Sequence, residues 1–390
     1  MLLKCKAYIR GAYGPGNIGD DVLMLAVIKL LEKRFDAKDI YVGVEHPQEA
    51  RALHPAVNWV HIKKPVQADL VVLGGGGQFF SFVPPLGAKR SLGSKVVNGL
   101  KKIRKQSGLV DSMLRVYVGK RGGFDRIYLH KRLAAFCIGL GPFDGGGYGQ
   151  WRAKEFLHRC DYISVRDQVS RRYCEEYGRS NVSTFIDPTL LRALWVEDSV
   201  VENTYAQPND FSDKHLTFVL RDWPHDVRGQ LVTQAIVACA DRFRREGRSV
   251  RFCAVYKSRD AHLIQKYSDF PWVVWDPCEG ISPAEFVKKL ISSSSSIVSS
   301  RAHGVLLPAV LGEPTLAVAI EEKLKQVHKM LPKGTLLVDE ASADAIYAKV
   351  LELERDKEVL RAALVNEVLD GAKLVEDAVQ DFLNWLDKKV

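Results

Sequence analysis

The sequence lacks any run of roughly 18 consecutive apolar residues, the length that a membrane-spanning helix requires. It also lacks a Cys-x-x-Cys pair, and its seven widely spaced cysteines form neither a zinc-ligand pattern nor an even disulfide set. The first ten residues include Lys4, Lys6 and Arg10, which is too much charge for a secretory leader. We therefore expect a cytoplasmic protein that has no disulfide bonds and no bound metal.

Acidic residues are scarce between positions 89 and 132, where thirteen Lys and Arg accompany only Asp111 and Asp125. This surplus of +11 exceeds the net charge of +9 for all 390 residues, so the rest of the chain is close to neutral. A nucleic-acid-binding protein spreads basic residues along a face, and we expect no nucleic-acid partner here. The segment suits either a solvated loop or a short amphipathic helix in peripheral contact with an anionic membrane at its inner face.

Strand-length apolar runs alternate with helix-length amphipathic stretches in both halves of the chain. This alternation is typical of parallel sheets with crossover helices. We predict an α/β protein with two Rossmann-like domains, at 1–199 and 215–390, joined by a polar, turn-rich linker at 200–214. A basic insertion at about 86–132 interrupts the first domain, and long helices end the second. The two parallel sheets would face each other across a cleft, where open α/β sheets bind their ligands.

A glycine-rich turn follows the first predicted strand. Gly14, Gly16 and Gly19 satisfy the dinucleotide-binding fingerprint. However, Asp20 and Asp21 would occupy the positive end of the next helix, which a pyrophosphate would need. We predict Asp20 as the N-cap of a helix over 21–35. Dinucleotide binding, a structural turn and a loop that binds an acceptor substrate all remain open, and we favour the last.

Four consecutive glycines, Gly74 to Gly77, follow a predicted strand at 70–73. Glycines at the carboxyl end of a buried strand allow a ligand to approach bare backbone amides. A tight turn is the alternative, but one or two glycines would suffice for a turn. We therefore favour a ligand-binding loop.

Basic residues recur at the carboxyl ends of predicted strands. Arg301 and His303 lie at a strand-to-helix turn, and Arg166 and Arg221 each end another strand. Arginine offers a planar fork for a carboxylate or phosphate, and histidine exchanges protons near neutral pH. Lys323, after a later strand, adds a further positive charge. Together these residues predict a small, highly anionic ligand in the cleft.

Seven short motifs follow one another through most of the chain: Gly-Asn-Ile-Gly-Asp (16–20), Asp-Leu-Val-Val-Leu-Gly-Gly-Gly (69–76), Ile-Gly-Leu-Gly-Pro (138–142), Ser-Val-Arg-Asp-Gln-Val-Ser (164–170), Asp-Pro-Thr (187–189), Ser-Arg-Ala-His-Gly (300–304) and Gly-Glu-Pro-Thr (312–315). In order and spacing they resemble the polysaccharide pyruvyl transferase family. The resemblance implies a fold like that of two-domain glycosyltransferases of the GT-B type. It also implies transfer of pyruvate from phosphoenolpyruvate onto two hydroxyls of a sugar in a surface or extracellular polysaccharide, or in its lipid-linked precursor, as a cyclic ketal.

The resemblance also assigns residues. It makes Arg301 and His303 catalytic, with His303 as the general acid, and gives phosphoenolpyruvate as co-substrate without a further cofactor. The expected donor-binding set is Arg166, Arg221, Arg301, His303 and Lys323, with the C-terminal domain as the expected donor side. The expected acceptor-binding set is Gly16, Asn17, Asp20, Gly75, Gly76 and Gln78, with Asp20 a candidate base if it is not used as a cap.

Two other functions remain compatible with the sequence. A GT-B glycosyltransferase would use a nucleotide-sugar donor, and Glu279 or Glu313 would then hold the ribose. A non-catalytic binding protein is the second alternative, but it would not need a histidine between arginines. The identity of the acceptor sugar is left open.

Overall fold

Two parallel β-sheets form the framework of the molecule. The computed structural model describes residues 2–14, 16–83, 128–145, 147–196 and 214–388. The first sheet has seven strands in the order β3-β2-β1-β4-β5-β6-β7. Its strands are β1 (Leu3–Arg10), β2 (Ile40–Val44), β3 (Asn58–His61), β4 (Val66–Phe79), β5 (Tyr128–Leu140), β6 (Tyr162–Val165) and β7 (Ser183–Thr184).

The second sheet has six strands in the order β10-β9-β8-β11-β12-β13. They are β8 (His215–Val219), β9 (Val250–Ala254), β10 (Trp272–Val274), β11 (Ser294–Ser299), β12 (Thr315–Val318) and β13 (Thr335–Val338). Every strand pair in both sheets is parallel. The predicted α/β class with two parallel sheets is confirmed.

Helices connect the strands, as parallel pairing requires. Those of the first half are α1 (Ile18–Glu32), α2 (Pro47–Ala50), α3 (Gly147–Arg159) and α4 (Gln168–Glu176). Those of the second half are α5 (Val227–Arg245), α6 (Lys257–Lys266), α7 (Pro283–Ser292), α8 (Ala302–Val310), α9 (Glu322–Met330), α10 (Ala343–Arg355) and α11 (Lys357–Asp387). Of the predicted linker at 200–214, only Lys214 is among the described residues. Residues 86–127 of the predicted basic insertion also lie outside them.

The end of the predicted basic insertion belongs to the first sheet. Lys131 and Arg132 lie in β5, where Lys131 pairs with Asp69 of β4 at 2.8 Å. Arg132 donates to the main-chain carbonyls of Trp385 and Leu386 at 2.6 and 2.7 Å. Ladder pairing with β4 begins at Tyr128, so the last five residues of the predicted insertion, 128–132, are part of β5.

The glycine run is part of a strand and not a loop. β4 continues through Gly74 to Gly77 and stays paired with β5 as far as Phe79. A Cβ on Gly75 would lie 2.8 Å from the side chain of Leu23, and a Cβ on Gly74 would meet Val27. The first two glycines are therefore needed because α1 packs directly on the strand, a reason that the sequence pattern did not reveal.

The prediction that Asp20 caps α1 is wrong. The helix begins at Ile18, and Asn17 occupies the N-cap position without a side-chain capping bond. The Ile18 amide donates instead to the carbonyl of Val255 in the second domain, at 3.0 Å. Because another domain satisfies this first amide, the helix starts before the acids, and the Asp20 side chain is available for other contacts.

The two domains share an extensive buried interface around α1 and α11. The buried carboxyl of Asp21 accepts a hydrogen bond from Trp275 Nε1 at 2.8 Å, and burial raises the pKa of this carboxyl to about 8. At the other end of the chain, α11 returns to the first sheet. There Phe382 packs against Phe136 and Tyr162 with ring centroids 5.4 and 5.3 Å apart. These contacts fix the two sheets relative to each other around the cleft.

Candidate active site

The turn between β11 and α8 places Arg301 and His303 at the cleft. Ser299 Oγ accepts from the Arg301 amide at 3.0 Å and donates to the Arg301 carbonyl at 2.8 Å. Gly304 is required beside it, because a Cβ there would overlap the Ser299 hydroxyl. Ser300 Oγ accepts from the Arg221 amide at 2.9 Å, which ties the end of β8 to the same turn. Ser299 and Ser300 thus align two of the predicted arginines, Arg301 and Arg221.

His303 lies directly against the first domain. Its imidazole packs on Gly19 of α1, where a Cβ would lie 2.8 Å from Cε1 and closer still to Nδ1. The ring is largely buried, with 10% of its side chain exposed, and its Nε2 lies 3.7 Å from Asp187 Oδ2. That separation is too long for a hydrogen bond, and Nε2 has no hydrogen-bond partner among the described residues. Nε2 is therefore a buried polar atom whose hydrogen-bonding capacity the described residues leave unused.

Asp187 lies between Arg166 and His303. It accepts from Arg166 Nη1 at 2.6 Å and from the Thr189 hydroxyl at 2.9 Å. Although burial opposes it, the positive charge of Arg166 and the nearby His303 hold the pKa of Asp187 well below its usual range. Gly139 on the neighbouring strand leaves room for the Arg166 guanidinium. Sequence reasoning missed Asp187 as a site residue, and the Asp-Pro-Thr motif was the only signal for it.

Asp20 and Lys323 complete this first group. Burial raises the pKa of Asp20, while the charges of His303, Lys323 and Arg166 oppose the rise. Burial lowers the pKa of Lys323 to about 8, and the positive charge of Arg166 adds to the effect. The negative charges of Glu321, Asp20 and Asp187 oppose this lowering. The structure therefore brings Arg166, His303, Lys323 and Asp20 together from both domains.

Arg301 and Arg221 form a second group beside the first. The Arg301 guanidinium pairs with Asp260 of α6, and Arg221 pairs with Glu321 at the start of α9. The negative charge of Glu321 also acts on Lys323, where it opposes the lowering of the pKa. Glu321 therefore belongs to both groups. Arg301 Nε is buried without a hydrogen-bond partner in the described part of the chain. Each predicted arginine thus already has a carboxylate, which a competing anionic ligand would have to displace or join.

The predicted acceptor residues are brought together only in part. Asp20 Oδ2 accepts from Asn17 Nδ2 at 2.6 Å, and a Cβ on Gly76 would lie 3.2 Å from Asp20 Oδ1. The Gln78 amide is near but donates to the carbonyls of Gly74 and Gly75 at 3.0 and 2.6 Å. Two glycines point elsewhere: Gly16 faces Pro277 of the second domain, and Gly75 faces α1. Open space lies beyond Gly77, whose Cβ would meet nothing within 4 Å.

Over the described ranges, no three His, Cys, Asp or Glu residues are arranged to hold a metal ion. None of the helices that the structure describes has the length and apolar character to cross a membrane. All seven cysteines are described and all are free thiols.

The family follows from a sequence profile. The profile of "Polysaccharide pyruvyl transferase" matches residues 17–322, a range that includes Asn17, Asp20, Arg166, Asp187 and His303. The chain belongs to the polysaccharide pyruvyl transferase family. No curated protein matches it in sequence.

Solved structures support the same architecture. The chain is similar to Anabaena Alr3699/HepE in complex with UDP, with a TM-score of 0.53 and 11% identity over 98% of this chain and 99% of the other. It is also similar to S. aureus MnaA in a co-structure with UDP, with a TM-score of 0.51 and 13% identity over 100% and 99% of the two chains. At such low identity the likeness shows the fold alone, which is of the GT-B type.

Proposed function

We propose that this pyruvyl transferase family member moves pyruvate from phosphoenolpyruvate onto two hydroxyls of a sugar in a polysaccharide or its lipid-linked precursor, forming a cyclic ketal. One observation carries the proposal. A buried histidine with an unpartnered Nε2 lies among Arg166, Lys323 and Asp20 at the contact between two sheets. An acid, fixed positive charges and a carboxylate are the groups that this reaction uses.

The first step is protonation of the enol. His303 donates its Nε2 proton to the methylene carbon of phosphoenolpyruvate, which becomes a methyl group, and the central carbon gains oxocarbenium character. Asp187, whose pKa lies well below its usual range, places a negative charge 3.7 Å from Nε2. General acid catalysis of this kind contributes about 100- to 10,000-fold in rate.

The donor's charges require compensation. Phosphoenolpyruvate carries a carboxylate and a phosphate, and the donor set offers Lys323 together with the guanidinium groups of Arg166, Arg301 and Arg221. Burial lowers the pKa of Lys323 to about 8, so its charged form adds to the attraction of the anion below that pH. The arginines fix the orientation of the ligand through planar, two-point contacts.

Asp20 is the base in this scheme. A sugar hydroxyl attacks the central carbon and gives up its proton to Asp20, and phosphate leaves as the carbon–oxygen bond to it breaks. The second hydroxyl then attacks the same carbon and closes the ketal. Asp20 passes the first hydroxyl proton to the departing phosphate, and the second hydroxyl proton returns to His303, so both groups end in their starting state. The raised pKa of Asp20 suits this role, since a stronger base accepts a proton more readily.

A nucleotide-sugar glycosyltransferase is the second candidate, because the similar structures HepE and MnaA are titled as complexes with UDP. A thermal-shift comparison separates the two functions. We expect millimolar phosphoenolpyruvate to raise the melting temperature in the presence of EDTA, because ligand binding to the native state stabilises it. UDP-glucose should leave the melting temperature unchanged. The reverse result would favour the glycosyltransferase.

The basic segment supports a further part of the proposal. Its charge surplus between residues 89 and 132 suits reversible contact with the anionic inner face of a membrane, where each nearby Lys or Arg contributes about 1 kcal/mol. A cytoplasmic enzyme held there would meet a lipid-linked acceptor at the surface where it is assembled. This part rests on composition, since most of the segment lies outside the described residues.

A further inference from the structure

Aromatic side chains from both domains meet at the rim of the cleft. The rings of Phe80 and Phe82, which follow β4, lie 4.9 Å apart. The Phe82 ring also lies 4.8 Å from Trp223 and 5.1 Å from His225, both in the second domain. Trp223 and His225 are in contact at 4.6 Å. None of these rings has a part in the chemistry proposed above.

The aromatic cluster adjoins both halves of the candidate active site. On the donor side, the Arg221 guanidinium lies 4.5 Å from the centre of the Trp223 ring. On the acceptor side, Phe80 follows Gly76 by four residues, which span at most about 14 Å of extended chain. Gly76 is next to Asp20, the proposed base. The cluster therefore lies within the reach of a short saccharide that has one ring at Asp20.

Phe80 leaves much of its ring in solvent, although its backbone is held firmly. Its exposed fraction is 44%, whereas Trp223 is buried. The Phe80 carbonyl packs on Gly149, where a Cβ would approach it to 3.0 Å. His225 Nδ1 donates to the Val83 carbonyl at 2.7 Å and anchors the end of this stretch to the second domain. The ring is thus an exposed apolar surface on a fixed support.

We propose that Phe80 and Phe82 form a stacking platform for a sugar ring of the acceptor. A pyranose has an apolar C–H face and a polar edge, and binding sites combine aromatic walls with a few polar groups. Here the rings supply the wall, while Asn17 and Asp20 supply polar groups near Gly76. The platform selects a saccharide acceptor longer than one ring, with the reacting hydroxyls at Asp20 and a neighbouring sugar on Phe80. This inference rests on the proposed function only in taking the acceptor to be a sugar.

Saturation-transfer NMR tests the platform without any turnover. The probes are methyl β-galactoside, methyl β-glucoside, methyl α-mannoside, lactose and cellobiose, each with the full-length protein. We expect at least one disaccharide to receive saturation on the C–H protons of a ring. Phe80→Ala should raise the dissociation constant of that disaccharide about three- to tenfold, the range expected for one lost aromatic contact. Phe80→Tyr should return the constant to its wild-type value. Phe35→Ala is the matched control. Asn17 precedes the N-terminal end of α1 and Phe35 follows its C-terminal end, and the 15 residues of the helix span about 22 Å.

Several outcomes would overturn the platform. Wild-type protein that saturates none of the five sugars has no such site. Equal binding by wild type and Phe80→Ala would place the sugar elsewhere. Saturation of the alkyl chain of octyl β-glucoside, with none on methyl β-glucoside, would assign the surface to a lipid tail. The thermal shift with phosphoenolpyruvate is measured separately, so loss of sugar binding and failure of the proposed donor are distinguishable.

Discussion

Gly19→Ala tests the contact between α1 and His303 most directly. On helix propensity alone, alanine at this position would stabilise α1 by up to about 1 kcal/mol. In the folded protein, however, its Cβ would lie 2.8 Å from His303 Cε1 and closer to Nδ1, whereas ordinary contacts begin at 3.4 Å. The imidazole must therefore move by about 1 Å or more, and a displacement of 1 Å costs on the order of 100-fold in rate. We therefore expect the rate of phosphate release from phosphoenolpyruvate, measured in the presence of acceptor, to fall by that factor. The melting temperature should also fall.

A double-mutant cycle provides the control. When His303→Ala has already removed the ring, Gly19→Ala should cause little further loss of turnover and should raise the melting temperature, because helix propensity then acts alone. The change in melting temperature thus reverses its sign between the two backgrounds. Wild-type turnover in a folded Gly19→Ala protein would refute the reasoning, since it would mean that the rate does not depend on the observed position of His303.

Four other predictions follow. His303→Asn should lower turnover about 100- to 10,000-fold while titration calorimetry shows little change in phosphoenolpyruvate affinity; near-normal turnover would remove the acid from this position. Asp20→Asn should leave the melting temperature close to that of wild type and lower turnover, and retained activity would exclude it as the base. Because an anion binds the protonated lysine, phosphoenolpyruvate affinity should fall as pH rises through about 8, and Lys323→Met should flatten that dependence, whereas Lys257→Met should not. Liposome co-sedimentation should require anionic lipid, fade at high salt and disappear when Lys101, Lys102, Arg104 and Lys105 become Glu; equal binding to neutral vesicles would contradict membrane attraction by charge.

Strand positions were largely predictable, because parallel strands buried on both faces read as continuous apolar runs. The predicted strand at 70–73, for example, lies inside β4 (Val66–Phe79). β13 was missed, since its run of three apolar residues, Leu336 to Val338, is too short for periodicity to distinguish strand from helix. The glycine run was misplaced for a different reason. Whether glycines end a strand or let a helix pack on it depends on a partner that is distant in sequence.

The candidate site divides in the same way. The sequence by itself determined which groups are available: glycine turns and basic residues at strand ends, and a histidine two positions after an arginine. Tertiary structure alone decided their pairing. Gly19 and His303 are 284 positions apart and touch only because α1 packs on the second domain. Asp187 lies beside Arg166 and His303 through contacts that are distant in sequence. Asp20 is not needed as a cap, because the carbonyl of Val255 accepts from the first amide of α1. Long-range contacts therefore determine which charged groups lie together.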